Sequence, residues 1–231
     1  MNQPSVVVFD VNETLSDMAP MGLRFADVGA PEQLAKLWFA SLLRDGFALT
    51  TAGAKTTFAA VGHGVLRTLL APLDDAGQLD RKVGDAIEHI MTGFSQLQVH
   101  PDVPQGVRAL GAAGMRLVTL TNGATSVPQA LFERAGLAGE FERLLSVDDA
   151  GLWKPARGAY EYAARTCDVE VGAMLLIAVH PWDIDGAARA GMRTAWLNRS
   201  GSPYPDHFTA PEIIARDLED LAAQLTEDAG R

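Results

Sequence analysis

Val6-Val7-Val8-Phe9-Asp10-Val11-Asn12-Glu13-Thr14-Leu15 is the stretch on which the fold turns. Four apolar residues, three of them β-branched, run without alternation and stop at a carboxylate. An unbroken apolar run of that length reads as a strand covered on both faces, as in a parallel sheet. Arg116–Leu120 repeats the pattern and ends at Thr121-Asn122-Gly123. Met174–Val179 ends at His180-Pro181-Trp182-Asp183, and Thr194–Leu197 runs out into Asn198-Arg199-Ser200-Gly201. Helical spacing fills the intervals at Val127–Ala135, Gly158–Thr166 and Ile184–Ala190. Strand, helix, strand in this rhythm predicts an α/β fold with a doubly wound, mostly parallel sheet.

The rhythm fails after the first strand. Between Ser16 and Gln98 only helical patterns occur: Glu32–Arg44, a mixed stretch over Gly53–Leu70, and the amphipathic Gln78–Phe94. His100-Pro101-Asp102-Val103-Pro104 then marks the return, followed by a helix over Gln105–Ala113, and Glu212–Leu225 patterns as a closing helix. The expected partition is a split core, residues 1–15 and 98–231, with a helical insert over 16–97.

Composition narrows the function. The 231 residues carry 19 basic and 29 acidic side chains, a formal charge of −10, and 48% are hydrophobic. Such a surface repels phosphate backbones and anionic lipid, so neither nucleic acid nor membrane is an expected partner. Cys167 is the single cysteine and cannot form an internal disulfide or a thiolate cluster. No apolar run approaches the ~20 residues that span a bilayer. The opening MNQPSVVVFD lacks a basic and an apolar leader region. A cytoplasmic protein is expected.

Ligands of open α/β sheets bind at the carboxyl ends of the strands. Asp10, Thr14, Thr121, Asn122, Lys154, His180 and Asp183 gather there from four segments. A carboxylate directly after a buried strand serves as metal ligand, general base or nucleophile. Lys154 could hold it ionised, since a nearby opposite charge favours the anion. Thr121 and Asn122 could donate hydrogen bonds to it or to a substrate oxygen.

Phe9-Asp10-Val11-Asn12-Glu13-Thr14-Leu15, Leu120-Thr121-Asn122-Gly123, Lys154-Pro155 and Trp182-Asp183 resemble the four motifs of the haloacid dehalogenase superfamily. The insert falls where that superfamily places its cap. Lys154-Pro155 with Tyr160, and His180-Pro181-Trp182-Asp183, most resemble the L-2-haloacid dehalogenases. The resemblance implies that Asp10 is the nucleophile and forms an aspartyl ester. It implies that Thr14 supports the nucleophile loop, that Thr121 and Asn122 form the second motif, and that Lys154 neutralises Asp10. Asp183 would organise Lys154 and the hydrolytic water, and His180 stands where the family has asparagine. Asn12, Trp38, Phe39, Tyr160 and Trp182 are the expected substrate contacts.

Phosphatases of the superfamily need Mg²⁺ and carry an acid two positions past the nucleophile, where this chain has Asn12. They also carry an aspartate five residues before the retained one, where this chain has Ala178. Halide leaves carbon without a proton, so neither group is needed for dehalogenation. No metal and no cofactor is expected. The family's cap arginine follows a Leu-Trp pair; here Leu37-Trp38 is followed by Phe39, and Arg44 lies about 140° further around the helix. Arg44, Asn122, the Trp38 indole and His180 are the remaining donors to a departing halide. The implied activity is metal-independent hydrolysis of a small 2-substituted carboxylic acid, most simply a 2-haloacid, by a chain that is a homodimer in many relatives. Opening of a strained-ring amino acid such as azetidine-2-carboxylate, a Mg²⁺-dependent small-molecule phosphatase and a silent binding protein are the alternatives.

Overall fold

A computed structural model describes residues 4–227, so residues 1–3 and 228–231 of the expected core lie outside the described residues. The chain divides into two compact units, one formed by residues 1–16 with 98–231 and the other by 17–97. In chain order the elements are β1 (Val6–Phe9), α1 (Met21–Ala26), α2 (Leu34–Thr51), α3 (Phe58–Asp75), α4 (Val83–Ser95), α5 (Val103–Ala112), β2 (Arg116–Thr121) and α6 (Ser126–Ala135). They continue with β3 (Arg143–Ser146), α7 (Val147–Ala150), α8 (Arg157–Cys167), β4 (Met174–Ala178), α9 (Pro181–Ala190), β5 (Arg193–Leu197), β6 (Ile213–Ala215) and α10 (Leu218–Glu227). None of the described helices is long and apolar enough to cross a membrane.

The first unit is a six-stranded parallel sheet in the order β3-β2-β1-β4-β5-β6. β1 is central and every one of its residues is buried, which is why its sequence shows no alternation. The chain leaves β1 toward β2 and β3, then returns to β1's other side with β4. The strand order therefore reverses at β1, and the crevice such a reversal opens lies at its carboxyl end. Asp10 follows there at once, its N–H donating to the Ile177 carbonyl of β4 at 3.0 Å.

Two strands depart from the sequence expectation. Ile213-Ile214-Ala215 was expected inside a closing helix but forms β6, paired with β5, and the helix begins only at Leu218. The β-branched pair favours an edge strand once β5 offers its free side. β3 is also an edge strand, of four residues, too short to show a period. Gly106 allows the helical layer to close: a Cβ there would lie 2.6 Å from the Leu218 side chain, so α10 approaches α5 only because the position is bare.

The second unit is helical throughout. α2 buries Ala35, Trp38, Phe39, Leu42 and Leu43 at three- and four-residue spacing. Trp38 packs between Phe25, Phe39 and Phe94, and Phe58 stacks on Phe94 at 5.4 Å. Trp38 thus packs into this core. It is fully buried, and its indole N–H is spent on the Gly62 carbonyl at 3.1 Å. Phe39 is nearly buried as well, against Trp38 and Phe58. Arg44 points the other way, 71% exposed and paired with Asp45.

Candidate active site

The loop after β1 turns sharply so that Thr14 folds back on Asp10. Glu13 sits at the bend with φ 62°, the left-handed region that costs a side-chain-bearing residue about 1 kcal/mol. Thr14 Oγ1 donates to Asp10 Oδ2 at 2.6 Å and accepts from the Val179 N–H at 3.1 Å. Each Asp10 oxygen thus has its own donor, because Lys154 Nζ donates to Oδ1 at 2.8 Å.

Lys154 reaches this point fully buried, which its backbone placement explains. Asn122, at the end of β2, accepts from the Lys154 N–H at 2.9 Å and donates to the Lys154 carbonyl at 3.3 Å. The Asn122 amide thus clamps the lysine's main chain, and of its two N–H donors one is engaged on the Lys154 carbonyl. Thr121 accepts from the Gly123 N–H at 3.0 Å and sets the turn. Ser146 Oγ donates to the Gly123 carbonyl at 2.8 Å, tying that turn to the end of β3.

Asp183 lies in the first turn of α9, where a helix N-terminus favours an anion. Its Oδ2 accepts from Lys154 Nζ at 2.6 Å and its Oδ1 from the Tyr160 hydroxyl at 2.6 Å. Tyr160 is fully buried, and its hydroxyl supports Asp183. Gly186 makes room for it: a Cβ at that position would stand 2.7 Å from the Tyr160 hydroxyl and 2.5 Å from Pro155.

The two carboxylates share one ammonium but differ in environment. Burial pushes the Asp10 carboxyl up, yet Lys154, His180 and the hydrogen bonds from Lys154 and Thr14 outweigh it and hold Asp10 below its ordinary value. Burial also pushes Asp183 up, the charge of Asp10 adds to this, and Lys154 and Tyr160 do not offset both, so Asp183 is raised. Burial disfavours the Lys154 cation, but its two carboxylate neighbours keep it protonated above the usual lysine range. An ionised carboxylate beside a more basic one is the division of labour that environment produces in two-carboxylate sites.

His180 caps α9 and stacks on Trp182 with ring centroids 5.1 Å apart. Its Nε2 faces three oxygens: the Asn12 carbonyl at 3.1 Å, Glu13 Oε2 at 3.6 Å and Asp10 Oδ2 at 3.7 Å. A carbonyl can only accept, so Nε2 carries the proton and this nitrogen cannot serve as a base. Asn12 meets His180 through its main chain. Trp182 is half-buried, with Lys154 Nζ 5.9 Å from its ring centre.

These residues do not fit a divalent ion. Mg²⁺ demands a compact shell of oxygens. Here the gap between Asp10 and Asp183 is filled by an ammonium, the oxygens on the other side of Asp10 surround an imidazole N–H, and Ala178 offers no ligand. Among the described residues no group of three His, Cys, Asp or Glu side chains could hold a metal. Arg199 and Asp102, which join the nucleophile loop from outside, were not legible as site residues. An arginine after a strand reads as surface, and its partners lie 97 and 185 residues away in the chain.

A buried, lysine-paired carboxylate at the reversal point of a parallel sheet, with the lysine supplied by a later loop, is the arrangement of a hydrolase site. The chain belongs to the haloacid dehalogenase-like hydrolases, whose family model matches residues 4–191. Haloacetate dehalogenase H-2 of Moraxella sp. (strain B) is 33% identical over 136 residues, 59% of this chain and 60% of that enzyme, so the match leaves much of that enzyme's length unspanned. (S)-2-haloacid dehalogenase 1 of Pseudomonas sp. (strain CBS-3) is 28% identical over 220 residues, 94% of this chain and 95% of that enzyme. The crystal structure of an L-2-haloacid dehalogenase superposes with a TM-score of 0.89 at 29% identity, covering 98% of this chain and 100% of that one.

Support for Asp183 has a measurable weight. Tyr160→Phe leaves Asp183 Oδ1 without its donor in full burial, and a hydrogen bond to a charged group contributes about 1.5–3 kcal/mol. The expected loss in kcat is about ten- to hundredfold with KM little changed, checked by steady-state kinetics on the dehalogenation proposed below.

Proposed function

We propose that this chain hydrolyses the carbon–halogen bond of a short (S)-2-haloalkanoic acid, giving the 2-hydroxy acid and halide without a metal. The observation that carries the reading is Asp10 held ionised by separate donors on its two oxygens, with Asn12 and Ala178 in place of an acid and a metal-binding carboxylate. One Asp10 oxygen attacks C2 and forms a C–O bond as the carbon–halogen bond breaks, and halide leaves with the bonding pair. Whichever oxygen attacks, the other becomes the ester carbonyl and keeps either Thr14 or Lys154 as its donor. That donor then stabilises the oxyanion when water adds to the Asp10 carboxyl carbon. Breakage of the acyl bond releases the 2-hydroxy acid and restores Asp10 with an oxygen from water.

Esterification also prepares the base. It removes the Asp10 charge whose repulsion raises Asp183, leaving Asp183, beside Lys154, as the carboxylate to take a proton from the hydrolytic water. The test is halide release from (S)- and (R)-2-chloropropionate, with and without EDTA. The expected result is release from the (S) acid, unchanged by EDTA. Phosphate released from phosphate esters only with Mg²⁺, and no halide from either acid, would overturn the reading.

A further inference from the structure

Three successive carbonyls of the nucleophile loop are each held by a side chain from a distant segment. The Asn12 carbonyl accepts from His180 Nε2 at 3.1 Å, the Glu13 carbonyl from His100 Nε2 at 2.9 Å, and the Thr14 carbonyl from Arg199 Nη2 at 3.0 Å. Regular helices and strands do not present three neighbouring carbonyls to separate side chains. The left-handed Glu13 turns them apart, and the loop spends its own main-chain acceptors on this outer frame.

Arg199 is itself fixed. Its Nη1 donates to Asp102 Oδ1 at 2.8 Å, and Asp102 Oδ2 accepts from the Leu218 N–H at 2.8 Å, at the start of α10. Both side chains are mostly buried, at 18% and 13% exposure. Arg199 Nε is buried without a hydrogen-bond partner, so the guanidinium is held by its Nη groups alone. The path onward is short: the Thr14 whose carbonyl Arg199 holds is the residue whose hydroxyl lies 2.6 Å from Asp10 Oδ2.

We propose that Arg199, anchored by Asp102, is a positioning residue for the nucleophile: by fixing the Thr14 carbonyl it keeps the Thr14 hydroxyl aimed at Asp10. The proposal rests on Asp10 being the nucleophile. The titratable and charged groups that face Asp10 are Lys154 and His180, with Asp183 across the ammonium, and the charged group that faces Arg199 is Asp102. The Thr14 hydrogen bond is one of the contacts that favour the Asp10 anion, so losing it moves the acid limb of the rate profile upward.

The experiment is Arg199→Met, read by crystal structure and by kcat and kcat/KM against pH on (S)-2-chloropropionate. The expected structure has the Thr14 hydroxyl beyond hydrogen-bonding reach of Asp10. The expected kinetics are a fall in kcat of about thirtyfold, KM within about twofold, and an acid limb moved to higher pH, with Arg199→Lys recovering most of the loss. If Arg199→Met does not fold, Asp102→Asn, which keeps the arginine and the acceptor for Leu218, is read in the same two ways with the same expected direction. A retained Thr14–Asp10 contact, or a loss in kcat with the acid limb unmoved, overturns the proposal. If the unaltered protein releases no halide from any 2-haloacid, the dehalogenase reading fails, and the Thr14–Asp10 separation in the variant structure decides the positioning role by itself.

Discussion

Lys154→Ala is expected to lower kcat/KM for a 2-haloacid by about a thousandfold. The ammonium touches both buried carboxylates, at 2.8 Å to Asp10 and 2.6 Å to Asp183. Removing one member of a buried charge cluster costs about 3–5 kcal/mol, because the remaining charges are left without compensation. Two anions cannot stay ionised in that volume, so one takes a proton. The sign of the pH effect follows. Asp10 now lies below its ordinary value and is ionised across the neutral range. Without Lys154, burial and the neighbouring Asp183 push it upward, so the variant's kcat/KM should climb through a higher pH than the parent's. Lys154→Arg should not restore the rate, since a planar guanidinium, larger than an ammonium, would have to enter a position that is fully buried. The pH profiles of the two variants measure this directly, with thermal unfolding to confirm that each is folded. A loss below tenfold would remove Lys154 from the mechanism.

The contrast between Lys154 and its neighbours shows what a sequence conveys. Each central strand ends at a residue of the site: β1 at Asp10, β2 at Asn122, β4 two residues before His180. Buried parallel strands are unbroken apolar runs, so their ends are sharp in the sequence and the residues standing there are easily found. The edge strands β3 and β6 are short, one-sided and stabilised by a neighbour's free edge, which no local pattern records. Residue type was legible where partner was not. Asn122 and Tyr160 are polar groups at the site, but that an amide is spent on a lysine's main chain and a phenol on Asp183 depends on segments 32 and 23 residues away. Arg199 was hidden for the same reason over a longer separation. The charges that act on Asp10 are thus readable as a list, and their order of importance only as a geometry.

Asp10→Asn should abolish turnover, by about four orders of magnitude or more, while the fold survives. The amide has nearly the shape of the carboxylate: its oxygen can still accept from Lys154, while its NH2 has to donate to the Thr14 hydroxyl oxygen in place of accepting from it, so the fold survives with one contact reversed. It has no anionic oxygen to attack C2, and no neighbouring group replaces it. Asp183 is fully buried with one oxygen on Lys154 and the other on Tyr160, and His180 Nε2 carries a proton that faces the Asn12 carbonyl. Loss of rate alone would not distinguish a nucleophile from a base that activates water, because both need the anion. Isotope position does. In a single turnover in H₂¹⁸O with the unaltered enzyme in excess, an ester route takes the product's new oxygen from Asp10 and leaves the water's oxygen in the Asp10 carboxylate. The expected outcome is unlabelled 2-hydroxy acid and a labelled peptide containing Asp10. Direct displacement by water gives the reverse, and label found in the product with none in Asp10 would reduce this carboxylate to a base and end the case for an enzyme ester.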